Sequence, residues 1–119
     1  MSKVDLNQKF SLFNDHWNPK IVGELNRQYV KLAKLKGEFI WHQHDNEDEL
    51  FMVIRGKLKI RLRDGDIDLE EGQFYIVPRG VEHLPIAEEE AHVMLFEPKS
   101  VLNTSDKNNE RTIETLERI

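Results

Sequence analysis

The chain contains no cysteine. That excludes disulfides, thiolate nucleophiles, iron–sulfur clusters and cysteine-based zinc sites. Positive charge is also in deficit: 17 Lys and Arg stand against 22 Asp and Glu, a net charge of −5. With no basic run and no interleaving of basic and aromatic residues, nucleic acid is not an expected partner. No apolar run approaches the length of a membrane span, so no membrane partner is expected either. The first ten residues, MSKVDLNQKF, lack the apolar core of a signal peptide, and the expected location is the cytoplasm. Internal repeats and low-complexity tracts are absent, and 119 residues suffice for one domain around one core.

What is present is a β pattern. From Tyr29 to Glu97 the hydrophobic period is two, and Gly37, Gly56, Gly65, Gly72 and Gly80 separate short segments rich in Val, Ile, Leu, Phe and Tyr. This spacing predicts an all-β sandwich or barrel. Residues 29–99 form the barrel in this reading. Residues 1–28 are an extension packed on it through Phe13, Trp17, Ile21 and Val22, and 100–119 are a polar tail ending in a short helix. KLKIRLR (Lys57–Arg63), Asp64-Gly65 and DIDLE read as a hairpin with a type I′ turn at Asp64-Gly65. That turn sets Arg63 opposite Asp66, Arg61 opposite Asp68 and Lys59 opposite Glu70, with apolar pairs between them. LFMVI (Leu50–Ile54) does not alternate, which predicts a strand covered on both faces.

The segment WHQHDNEDEL carries the chemistry. On a strand, His42 and His44 share one face. A short acidic loop then returns the chain to Glu49, the first residue of the buried strand. Two imidazoles and a carboxylate converging on a core are costly to bury without compensation, and a divalent metal supplies it. His-x-His alone is a weak signal. Downstream, GQFYIVPRGVEH (Gly72–His83) repeats the pattern of glycine turn, apolar strand, tight Pro78–Gly80 loop and histidine.

Together, GEFIWHQHDNEDELFMVIRG (Gly37–Gly56) and GQFYIVPRGVEH resemble the two motifs of the cupin superfamily. The resemblance implies a double-stranded β-helix, or jelly-roll barrel, holding one divalent metal on His42, His44, Glu49 and His83. VPRGVEHLPIA, EAHVMLFEP and VLNTSD are similar to small single-domain cupins described as mannose-6-phosphate isomerase-like. Two positions depart from the motifs. Only four residues separate Gly37 from His42, one fewer than is usual, and Ala87 stands where the second motif often ends in asparagine.

Four protein ligands on a six-coordinate ion leave room for water or a bidentate small molecule. Without thiolates, Fe(II), Mn(II), Ni(II), Co(II) and Zn(II) all remain open. Such a centre polarises a carbonyl or, with iron, activates oxygen. The leading reading is a metalloenzyme acting on a small metabolite, isomerase-like by resemblance. The alternatives are an Fe(II)-dependent dioxygenase or lyase, and a non-catalytic module that senses or holds a small molecule. A phosphate-bearing substrate would have to use scattered cations such as Lys34, Lys36, Arg55 and Arg79. His92, Phe51 and Met94 are pocket candidates, while Glu47 and Asp48 read as solvated and His16 as structural or surface. Phe39 and Trp41 alternate away from the histidines, so both are expected to point outward beside LFMVI. That patch predicts a homodimer.

Overall fold

The computed structural model of the protein describes residues 3–100 and 115–119. One short helix, α1 (Leu6–Phe10), is capped by Asp5, whose carboxylate accepts the Gln8 N–H at 3.3 Å. All other regular elements among the described residues are strands: β1 (Lys20–Leu25), β2 (Gln28–Glu38), β3 (Glu49–Arg55), β4 (Lys57–Leu62), β5 (Gly65–Glu70), β6 (Phe74–Val77), β7 (His83–Pro98) and β8 (Glu117–Arg118). The all-β jelly-roll expectation therefore holds.

The sheet runs β5-β4-β7-β2-β1-β8, with β3 pairing both β7 and β6. Strand β7 organises it. One edge lies antiparallel to β2 from Gln28↔Pro98 to Glu38↔Ile86. The other edge is divided, with His83–Ile86 pairing β4 and His92–Phe96 pairing β3. Between Leu35↔Ala91 and Gly37↔Ala87 the register breaks, leaving Glu88, Glu89 and Glu90 exposed against Lys36 alone. An irregularity of this kind bends both strands. The sheet folds over at that corner, although its hydrogen-bonded ladder does not close into a complete barrel.

Inside the fold lie Ala33, Leu35, Phe51, Val53, Leu58, Ile60, Leu69, Val77, Ala87, Ala91, Val93 and Leu95, all buried. A second, outer cluster forms where Phe10 and Phe13 cover Leu32, Ile54 and Met94. The N-terminal segment thus lids part of the outer face of β3. Leu50 and Met52 on that face stay half-buried, beside Phe74 (57% exposed) and Ile76 (48%) of β6.

Three local expectations need correction. The β4–β5 turn is Arg63–Asp64, with Leu62 opposite Gly65, Arg61 opposite Asp66 and Lys59 opposite Asp68. Neither turn residue has positive φ, so no type I′ turn forms there. The shift of two positions keeps basic against acidic and apolar against apolar. It also frees Arg63 to stack on Trp41 at 3.7 Å and to pair with Glu82 at 3.1 Å. The left-handed two-residue loop occurs instead at Asn26 and Arg27 (φ +50° and +67°), between β1 and β2.

The second correction concerns Phe39 and Trp41. The chain leaves the ladder after Glu38, so strict alternation stops. Phe39 turns inward, 9% exposed, and stacks on Trp17 at 4.7 Å. Trp41 is half-buried beneath the Arg63 guanidinium. The third concerns the tail. Of the expected helix over 110–119, the described residues from 115 onward are not helical: Glu117–Arg118 form β8, parallel to β1, with Ile119 N–H donating to Ile21 O at 3.1 Å. An open sheet edge offers two residues better partners than an isolated helical turn does. The VLNTSD segment lies outside the described residues.

Candidate metal centre

The two motifs join along the β3–β6 ladder, from Glu49↔Val77 to Met52↔Phe74, and again at an isolated bridge between His42 and His83. His42 is not within a strand, but it pairs with His83 through two backbone bonds, His42 N–H to His83 O at 3.1 Å and His83 N–H to His42 O at 2.9 Å. Further contacts fix the loop that carries His44. Gly80 N–H donates to His44 O at 2.8 Å, and Arg79 N–H donates to the Asp48 carboxylate at 2.9 Å. The tight Pro78–Gly80 loop of the second motif therefore braces the histidine loop of the first. Arg79 itself remains on the surface, its Nε 3.6 Å from Asp48. Glu47 accepts from the Ser100 hydroxyl at 3.3 Å, and His16 pairs with Glu90 at 2.7 Å, so neither belongs to the centre.

His42, His44, Glu49 and His83 are all buried, and one donor atom from each lies within 4.8 Å of the others. Two imidazoles are locked by the backbone. His42 Nδ1–H donates to Ile40 O at 2.9 Å and His83 Nδ1–H donates to Val81 O at 3.0 Å. Donation from Nδ1 leaves the Nε2 lone pair of each ring free for the centre. Glu49 Oε1 sits 3.4 Å from both His44 Nε2 and His83 Nε2. None of those three atoms makes a hydrogen bond among the described residues, although all are buried. Buried polar atoms left unpaired carry a desolvation penalty, and a divalent cation would satisfy all three together. The donor set of neutral nitrogens and one anionic oxygen fits such an ion.

Electrostatics agree with that fit. Burial foremost, with the neighbouring His83 imidazole, pushes His42 down to about 4, against the opposing pull of Glu49 and the Ile40 hydrogen bond. The ring is therefore neutral, as a ligand must be. For Glu49, burial acts to raise the pKa, but contacts with Glu97, His44 and His83 outweigh it and hold the carboxyl well below its usual range. Glu97 goes the other way. Burial and the Glu49 charge push it well above the usual carboxyl range despite Lys31.

A cavity of about 360 Å³ adjoins the centre, with His42, Glu49, Phe39, Phe51 and Trp17 in its wall. Of the three pocket candidates, Phe51 lines this cavity. His92 and Met94 do not line it. The inward residues of β7 are Ala91, Val93, Leu95 and Glu97, so His92 and Met94 face outward, His92 stacked on Phe10 at 4.5 Å and Met94 packed in the outer cluster. Trp17 is held in the wall at φ +58°, its backbone N–H donating to Lys34 O at 3.0 Å and its indole to Lys36 O at 2.9 Å. Sequence reasoning missed Lys31 and Glu97, a buried pair at 2.6 Å in the same wall. The available signal was parity, because Tyr29, Lys31, Ala33 and Leu35 of β2 occupy one face.

Comparison with known proteins agrees with the architecture. The model of the Cupin domain family (Cupin_2) matches residues 28–97. The crystal structure of a cupin-2 domain containing protein from Shewanella frigidimarina is 48% identical, with a TM-score of 0.80, over 81% of this chain and 94% of that one. A protein from Neisseria meningitidis is 26% identical, with a TM-score of 0.75, over 82% of this chain and all (100%) of that one. The uncharacterized protein YdbB of Bacillus subtilis is 36% identical over 63 residues, which are 52% of this chain and 56% of YdbB. The chain thus spans little more than half the length of that curated relative. The family match covers more than half of this chain, from the first residue of β2 almost to the last of β7, and the chain belongs to the cupin domain family.

Proposed function

We propose that the protein binds one divalent metal on His42, His44, Glu49 and His83 and uses it to act on a small metabolite in the adjoining cavity. The observation that carries this reading is the set of three buried, unpaired donor atoms facing one another, His44 Nε2, Glu49 Oε1 and His83 Nε2. When bound, the ion supplies Lewis-acid polarisation of a ligand oxygen. The chain's own residues do the rest. Ile40 O and Val81 O fix the ring orientation of His42 and His83, and Trp17, Phe39 and Phe51 shape an apolar wall that limits water.

The finer reading is an isomerase-like enzyme in the cytoplasm, with an Fe(II)-dependent dioxygenase or lyase as the alternative. The test is elemental analysis after growth with supplemented Fe, Mn, Ni, Co and Zn, followed by a metabolite screen with each metal restored. His42→Ala and His83→Ala should fold and lose most of the metal. Full occupancy in both variants would refute the site. We also propose that the chain forms a homodimer, its interface built on Phe74 and Ile76 of β6 with Leu50 and Met52 of β3. The exposure of two large apolar side chains on an edge strand supports this assembly.

A further inference from the structure

The cavity wall carries cations as well as the metal-ligand cluster. Lys31 is 2% exposed and pairs with Glu97 at 2.6 Å. Its Nζ also lies 5.9 Å from the centre of the Tyr29 ring. Lys99 Nζ and Arg118 Cζ approach the same ring at 5.5 and 5.3 Å, and Arg118 donates to the Tyr29 hydroxyl at 3.2 Å. Tyr29, Lys31, Lys99 and Arg118 all line the cavity that reaches His42 and Glu49. Three cations thus surround one tyrosine in a chain whose net charge is −5.

Among the described residues their carboxylate partners are few. Glu24 serves both Lys99, at 2.8 Å, and Arg118, at 3.9 Å, so one carboxylate is shared between two cations. Burying the Lys31–Glu97 pair costs more than apolar residues of the same volume would. Glu97 Oε2, moreover, has no hydrogen-bond partner among the described residues. Lys99 and Arg118 are 42% and 61% exposed while Lys31 is enclosed, so positive charge runs from the mouth inward. Lys34 and Arg79, considered from sequence for this role, lie elsewhere: Lys34 Nζ donates to Phe13 O at 2.7 Å and Arg79 pairs with Asp48.

We infer that the cavity takes a small anionic metabolite whose carboxylate or phosphate docks among Lys31, Lys99 and Arg118 while an oxygen at its other end faces the His42/His44/Glu49/His83 centre. This deepens the metal-centred reading and rests on it for the second contact only. Charge-assisted bonds to lysine and arginine suit either acidic group.

The test uses matched pairs on Co(II)-loaded protein, read by the visible spectrum of the ion. 2-Oxoglutarate is compared with 2-oxobutyrate, and dihydroxyacetone phosphate with dihydroxyacetone. The member carrying the additional acidic group, the distal carboxylate of 2-oxoglutarate or the phosphate of dihydroxyacetone phosphate, should bind about tenfold tighter in at least one pair, the scale of one good charged contact, and the pair with the wider gap identifies carboxylate or phosphate. Lys31→Met should narrow the gap to about threefold or less without weakening the neutral-ended member. Lys99→Gln/Arg118→Gln, at exposed positions, should narrow it too, and serves if Lys31→Met fails to fold. Equal affinity within both pairs, or a gap that survives these variants, overturns the inference. Failure to bind Co(II) would refute the metal reading separately. In that case acetate and inorganic phosphate titrated into metal-free protein, followed by the amide signals of residues 28–32 and 97–100, decide the anion site. Saturable shifts lost in the variants support it, and no saturable shift with either anion overturns it.

Discussion

At the residue scale, His42 ties the centre to stability. Its imidazole is pushed down to about 4 in the fold, against about 6.5 in an unfolded chain. Between those values the unfolded chain binds the extra proton. Stability from keeping His42 neutral is therefore complete above about 6.5 and is lost as pH falls toward 4. For metal-free protein the loss should be on the order of 2–3 kcal/mol. Urea titrations from pH 7 to 4.5 should show a shallower decline in His42→Gln than in the parent, and identical slopes would remove His42 as the cause. The four candidate ligands are legible in the sequence because spacing and charge betray them: two histidines one residue apart, an acid opening an apolar strand and a histidine after a proline-glycine loop. His92 is misread for a physical reason. Alternation separates the two faces of β7 but does not say which is inside, and the helix that stacks Phe10 on His92 leaves little trace in local pattern.

At the element scale, Gly56 joins β3 to β4 where the chain passes against β7. Its φ is +88°, and a Cβ there would lie 3.0 Å from Glu90 O and 3.3 Å from Ala91 Cα, both backbone atoms. Gly72 has a similar φ of +82°, yet a Cβ added there would meet nothing within 4 Å. Gly56→Ala combines backbone strain with a clash, whereas Gly72→Ala meets strain alone, worth about 1–2 kcal/mol. The urea midpoint should therefore fall further for Gly56→Ala, by roughly 1 kcal/mol or more beyond Gly72→Ala. Equal losses would show that the close approach is unimportant. The strands themselves are legible because a half-buried strand must alternate. The β4–β5 register is not, since a shift of two residues preserves every polar and apolar match and only turn geometry separates the choices.

At the scale of the whole molecule, the outer face of β3 and β6 keeps Phe74 and Ile76 exposed even though α1 and Phe13 cover Ile54 and Met94. The aromatic pair that motivates a dimer from sequence is accounted for within the chain. Phe74 and Ile76 inherit the argument. Light scattering at micromolar concentration should give twice the 14.1 kDa chain mass, and Phe74→Lys should return it toward the single-chain value. A parent protein that already scatters as one chain would remove the dimer. The fold class reads from sequence because period two persists across the middle of the chain. The parallel addition of β8 to β1 does not, because two residues cannot establish a period.

The two tryptophans occupy unlike surroundings. Trp17 stands in the cavity wall, stacked on Phe39, which in turn meets His42 edge-on at 5.4 Å. Trp41 lies outside the cavity under a guanidinium. Intrinsic fluorescence is consequently a composite of an interior and a peripheral chromophore. Filling of the cavity should therefore alter the emission of Trp17, while that of Trp41 should follow the Arg63 contact, which would give the chain its own optical probe of occupancy.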